Sequence, residues 1–336
     1  MNPRLPNTPD PDSEPATGAA DALRQIARSE AIKAYIQQDR PLHDALLGAA
    51  LRYIAGETLE SAVPIARRIN ESGHAVTIDF LGESSRDADR SRAAATEFHR
   101  IIDAIRRHGI RGSVSLDLSH LGLVVDADLA FGLASGLAEA TAGADPARCP
   151  ERCLELMISA EGAERTDDVL AMYERLTKRY PNVGITLQAY LNRTPRDIER
   201  ALAHPGRIRI VKGAFGEASR TILPRGDELN ARYIALVERA IAAGHSLSIA
   251  THDSVLLDHL SSRVPVGMPG VEFEMLYGIQ EGRLARQRER GFPTRVYLPY
   301  GEEWFLYVSH RLAEYPPNIY RAVSDAVAHA HPGHGG

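Results

Sequence analysis

The residues of this chain that could do chemistry collect at the ends of short apolar runs. Arg209-Ile210-Val211-Lys212-Gly213-Ala214-Phe215 sets two cations three apart and follows them with two small residues. Val183–Tyr190 carries Gln188, Ser246–Thr251 leads into Thr251-His252-Asp253, and Val271–Leu276 carries Glu274 and Leu276. Gly112–Leu118 carries Asp117, and Cys153–Ser159 runs on into Ser159-Ala160-Glu161-Gly162. The first run, Ala75–Leu81, carries Asp79, and the last, Arg295–Pro299, carries Tyr297 ahead of a helical pattern bearing His310 and Arg311. Polar groups at buried strand ends cost free energy unless they are paired or meet a ligand. So many together point to a large polar ligand.

Three chemistries compete for these residues. Lys212 in an apolar barrel interior would be a Schiff-base lysine, the signature of an aldolase. His120 and His252 with the carboxylates would suit metal-assisted hydrolysis, but no paired-ligand spacing supports it. A flat cofactor across the strand ends would use Gln188, Arg209, Lys212, Thr251 and His252, with Gly213-Ala214 letting the backbone come close. Set against all three is a structural ring of ion pairs among Arg209, Lys212 and Glu274.

The elements that must position these residues follow from periodicity. Eight apolar runs alternate with helical patterns at Asp89–Arg107, Ala127–Ala140, Thr166–Arg179, Pro195–His204, Gly226–Ala243, Val255–Arg263, Glu281–Gly291 and Glu302–Glu314. Strict alternation argues a parallel sheet, and eight units argue a distorted (β/α)8 TIM barrel, in which ligands bind at the C-terminal strand ends. No G-x-G-x-x-G follows any run, which disfavours a dinucleotide-binding sheet. Residues 21–70 form an N-terminal helical lead-in, 71–327 the barrel, and 1–20 and 328–336 disordered tails.

The chain has 336 residues, 44% hydrophobic and 25% charged, with a formal charge of −5. Mixed signs leave no nucleic-acid footprint. No apolar run is long enough for a transmembrane segment, and the first 20 residues lack the basic start and apolar core of a signal peptide, so a cytoplasmic location is expected. Cys149 and Cys153 lack partner ligands nearby and read as incidental thiols.

Taken together and in order, several segments resemble motifs of the proline dehydrogenases: Leu187–Tyr190, Arg209–Phe215, Ala250–Asp253, Glu272–Gly278, Arg295–Gly301 and Arg311–Glu314. The resemblance covers roughly Arg52 to Pro316. It implies a barrel with FAD at the strand ends, oxidation of a C–N bond by hydride transfer to flavin, a small-molecule amine substrate, and a quinone or other electron acceptor. It assigns flavin contacts to Gln188, Arg209, Lys212, Gly213, Ala214, Thr251 and His252, with Ala160 beside them. It assigns substrate packing to Leu276 and Tyr297.

The expected pocket departs from the family pattern. The family holds the proline carboxylate with a Lys on the second strand and two adjacent Args on the last helix; here those positions are Asp117, His310 and Arg311. The family's third-strand Asp falls on Ser159, Glu161 keeps the following Glu, and Phe215 replaces a Tyr. An ionised Asp facing a carboxylate at about 4 Å costs on the order of 4 kcal/mol at an effective dielectric near 20, about a thousandfold in affinity. The expectation is therefore an amine dehydrogenase not optimised for free L-proline, with Asp117, His310 or Glu161 taking the amine proton. A true L-proline dehydrogenase and a non-catalytic flavin-binding barrel remain the alternatives.

Overall fold

The computed structural model describes residues 26, 29–82, 84–143, 153–213 and 220–314. Both predicted tails, together with Cys149, Ala214 and Phe215, lie outside the described residues.

Eight parallel strands close into a barrel in sequence order: β1 (Ala75–Phe80), β2 (Gly112–Leu116), β3 (Leu156–Ile158), β4 (Val183–Gln188), β5 (Ile208–Val211), β6 (Leu247–Ala250), β7 (Val271–Leu276) and β8 (Thr294–Tyr300). The ring shuts where β8 pairs with β1, setting Thr77 opposite Tyr297 and Asp79 opposite Pro299. The predicted strands fall within three residues of these bounds. The third is shortened most: Cys153 to Glu155 carry no strand pairing of their own, and Cys153 is a free thiol.

Helices α1 (Glu30–Gln38), α2 (Arg40–Ala50) and α3 (Leu59–Glu71) precede the barrel. Outside the strands run α4 (Ala88–Arg107), α5 (Ala127–Ala142), α6 (Thr166–Thr177), α7 (Thr194–Leu202), α8 (Asp227–Ala242), α9 (Ser254–Arg263), α10 (Glu281–Glu289) and α11 (Trp304–Glu314). Several start where an Asp or Thr side chain accepts from the first-turn N–H groups, as Thr58, Asp87, Asp126 and Asp253 do for α3, α4, α5 and α9. Their apolar stripes close over the strands' outer faces into one core that includes Phe98, Ile101, Leu137, Tyr173, Tyr233 and Leu256.

Two features shape the barrel's ends. At the N-terminal end Glu272 accepts from Arg295 Nε and Ser248 Oγ, each at 2.6 Å, while Arg207 Nε donates to Glu155 at 2.9 Å. At the C-terminal end a second apolar cluster of Ala50, Tyr53, Ile54, Trp304 and Val308 ties the lead-in to α11. Trp304 Nε1 donates to Glu57 at 3.0 Å across the same contact. The turn after β7 passes so close to the lead-in that a Cβ on Gly278 would lie 1.6 Å from the Arg52 carbonyl, and its φ of +72° also favours glycine. Among the described residues no helix is long and apolar enough to cross a membrane.

Candidate active site

A cavity of about 450 Å³ opens at the C-terminal mouth of the barrel. Its walls hold most of the residues expected from sequence: Ser159, Ala160, Gln188, Arg209, Lys212, Gly213, Thr251, His252, Leu276, Tyr297 and Arg311. Strands β3 to β8 and helix α11 thus converge on one space.

The cations on β5 differ in their partners. Arg209 is nearly buried and spends its guanidinium on the barrel, giving Nε to Thr186 at 3.0 Å, Nη1 to Glu274 at 3.2 Å and Nη2 to Ser115 at 2.7 Å. The ion-pair reading is therefore realised for Arg209 and Glu274. Lys212 instead donates to Asp253 Oδ2 at 2.5 Å. Asp253 Oδ1 meanwhile accepts from Val255 and Leu256 N–H, so one carboxylate starts α9 and holds the lysine. An ammonium held by a carboxylate serves as a placed cation and does not match the isolated amine an aldolase needs.

His252 offers a specific fit for a ligand. Its Nε2 accepts from the Leu276 N–H at 3.1 Å, which assigns the proton to Nδ1, and Nδ1 is buried without a hydrogen-bond partner. Burial, helped by nearby Arg311, lowers its pKa to about 3, so the ring is a neutral donor. Gly213 has φ +108°, and a Cβ there would lie 2.2 Å from the Tyr190 ring. The glycine is thus required by backbone and packing, beyond any approach to a ligand. A donor without a partner, a paired cation and a bare backbone along one wall suit a flat cofactor with acceptor atoms on its edge.

The inner end of the mouth is acidic. Tyr297 Oη donates to Asp79 Oδ2 at 2.6 Å, and Arg209 lies 5.2 Å over the Tyr297 ring. Burial raises Asp79 to about 6 against the pull of Tyr297 and Arg209. Burial, then Glu161 and Asp79, raise Asp117 well above the carboxylate range, against a hydrogen bond from Ser159. Ser159 also shares a 2.9 Å hydrogen bond with Ser115.

Three expected residues, Asp117, Glu161 and His310, fall outside this cavity. Glu161 accepts from the Ser119 N–H at 2.9 Å and from Arg165 at 3.1 Å, one partner per oxygen. It ties the β2 and β3 ends together and is not a free base. His310 is half-buried but does not line the cavity, whereas Arg311 does. Successive helical residues project about 100° apart, so one position turns to the mouth and its neighbour does not. His120 is stacked on Phe80 at 5.2 Å beside a separate cavity, and burial lowers its pKa to about 4. Among the described residues no group of three or more His, Cys, Asp or Glu could hold a metal.

Sequence reasoning missed Arg52 and Tyr53 from the lead-in, Tyr307 from α11, and Asp253, all of which line the mouth. The Asp that follows a Thr-His pair and opens a helix was the one local signal available, since an N-cap Asp keeps one oxygen for another partner.

The family model described as proline dehydrogenase matches residues 62–314. This chain belongs to the proline dehydrogenase family. Proline dehydrogenases are flavoprotein oxidoreductases acting on CH–NH groups. Proline dehydrogenase 2 of Bacillus subtilis (strain 168) is 31% identical over 274 residues, covering 81% of this chain and 88% of the relative. The proline dehydrogenase of Deinococcus radiodurans is 32% identical over 277 residues, covering 80% and 87%. The crystal structure of proline utilization A from Bdellovibrio bacteriovorus, inactivated by N-propargylglycine, superposes with a TM-score of 0.70 at 16% identity. It matches 89% of this chain but only 41% of that longer one, and shows the shared fold.

Proposed function

We propose that the chain is an FAD-dependent dehydrogenase that oxidises the C–N bond of a proline-like or other cyclic secondary amine to an imine, and that it is not optimised for free L-proline. The observation that carries this reading is one cavity lined both by the cofactor set, Gln188, Lys212, Gly213, Thr251 and His252, and by the substrate set, Leu276, Tyr297 and Arg311. Family membership supports the reaction class. Bound flavin supplies the two-electron acceptor. His252 Nδ1 and the Lys212 ammonium would hold its polar edge, and Gly213 leaves the wall open. Leu276 and Tyr297 pack the amine ring, and Arg311 orients a polar end. Burial of these groups excludes water from the reacting carbon.

The substrate preference rests on two of the family's cation positions being Asp117 and His310, neither of which lines the cavity, so that Arg311 is the one cation of that set on its wall. The neutral tendency of Asp117 softens this: the full like-charge cost of about 4 kcal/mol applies only to an ionised carboxylate. This observation, with the named relatives, favours L-proline as the second substrate reading. The purified protein should show flavin absorption bands. Anaerobic titration with L-proline and with pyrrolidine should bleach them faster with the amine lacking a carboxylate. Rapid bleaching by L-proline at millimolar concentration would establish the second reading instead, and a colourless protein that takes up no FAD removes both.

A further inference from the structure

We propose that Tyr297 and Asp79 form the proton exit for the substrate amine, the tyrosine hydroxyl accepting the N–H proton as it passes its own to the Asp79 carboxylate. This deepens the reading above and rests on an amine occupying the mouth cavity.

The geometry carries the argument. Tyr297 lines the cavity, whereas Asp79 is 6% exposed and does not. The 2.6 Å hydrogen bond from the phenol is the connection from the cavity to that carboxylate. An O–H···O⁻ contact this short is charge-assisted and already aligned for transfer. The other acceptors suggested by sequence fall away one by one. Both Glu161 oxygens are engaged by Ser119 and Arg165, and His310 is not on the cavity wall. Asp117 does not line the cavity, and burial with two neighbouring carboxyls pushes it towards its protonated form.

Asp79 is faced by Tyr297 and Tyr300 from β8, by Asp117 beyond β2, and by Arg209 from β5. Its acidity, shifted up to about 6, brings it nearer to an ammonium than an ordinary aspartate while leaving it ionised at neutral pH. Tyr297 does not act alone: burial and the Asp79 charge hold its pKa well above the usual phenol value, so no phenolate waits in the site. It transfers a proton only as it receives one. In the full step the protonated secondary amine gives one N–H proton to the phenol oxygen while the phenol proton moves to Asp79 Oδ2. Flavin held by His252 and Lys212 would take two electrons as hydride from a ring carbon bonded to nitrogen, and the lone pair freed on the deprotonated amine would complete the C=N bond.

The test uses the FAD-loaded protein with Asp79→Asn and Tyr297→Phe. Asparagine preserves the shape of Asp79 but cannot take the proton. Anaerobic stopped-flow reduction by pyrrolidine and by L-proline should fall about a hundredfold or more in Asp79→Asn, the scale of general-base catalysis. The wild-type rate should decline below about pH 6, and that limb should vanish in the variant. ¹³C-aspartate NMR gives a readout independent of turnover. A carboxyl titrating near pH 6 should be absent in Asp79→Asn and should move upward in Tyr297→Phe, because the phenol hydrogen bond favours the ionised form. An unchanged acid limb in Asp79→Asn, or an Asp79 signal titrating in the ordinary carboxylate range, overturns the proposal. Failure of the wild type to be reduced by either amine at any pH sinks the amine reading itself.

Discussion

Replacing Glu272 by Gln should remove about 3 kcal/mol of stability at neutral pH without emptying the site. The carboxylate sits 6% exposed at the N-terminal end of the barrel, with Arg295 Nε and Ser248 Oγ each at 2.6 Å and Arg207 Nη1 at 3.6 Å. Burial alone would raise its pKa, but Arg295, Arg207 and Ser248 overcome that and lower it from the usual 4.5 to about 2. Such a difference between unfolded and folded states corresponds to ~3 kcal/mol. Breaking a buried pair from one side gives a similar figure, ~3–5 kcal/mol, because the arginines lose their counter-charge. The folded pKa is depressed, so the contribution is complete above about pH 4.5 and is lost as pH falls towards 2. Urea unfolding followed by far-UV circular dichroism should show the midpoint of Glu272→Gln well below wild type at pH 7, with the gap narrowed to less than half by pH 3. The exposed Glu199–Arg239 pair, at 2.6 Å, is the control, and Glu199→Gln should leave the midpoint in place. A loss under about 1 kcal/mol, or a gap as wide at pH 3 as at pH 7, would refute the reasoning.

Other outcomes follow from the mouth. Arg311→Met should raise the KM for L-proline far more than it lowers kcat, with the FAD content of the purified protein retained; loss of FAD would move Arg311 from the substrate to the cofactor. Gly213→Ala places a Cβ 2.2 Å from Tyr190 at φ +108°, and should cost about 1–3 kcal/mol in urea unfolding while weakening FAD retention. Wild-type stability would mean the loop relaxes freely. Lys212→Met breaks the pair with Asp253 and should lower FAD affinity, read by fluorescence quenching on reconstitution; unchanged affinity would leave Lys212 a purely structural partner of α9.

The barrel was legible because each strand is a short apolar run and each helix a wide apolar stripe, and both signals are local. β7 was placed to the residue. β3 was drawn too long because Cys153 and Leu154 extend its apolar run towards the N-terminus, yet only Leu156–Ile158 finds neighbours on both sides. The cavity wall was legible because most of its residues sit at strand ends whose position the alternation sets. What failed was pairing. Sequence order puts Arg209, Lys212 and Glu274 on one rim, but only the folded ring shows that Arg209 takes Glu274 while Lys212 takes Asp253. The partners of Glu161 and the direction in which His310 faces were not legible for the same reason: hydrogen-bond partners and helix rotation belong to tertiary structure. Arg52 and Tyr53 were invisible because their place at the mouth depends on the close pass of Gly278, more than two hundred residues along the chain.

The pair β1–β8 is the join at which the first strand meets the last. The hydrogen bond from Tyr297 to Asp79 bridges that join over a sequence separation of 218 residues. Contacts of such long range form late and slowly, since the whole intervening loop must be closed first. A half-folded ring can bury apolar surface and look compact, yet it has no such hydrogen bond. This contact at the mouth is therefore made by the same event that completes the ring's circumference.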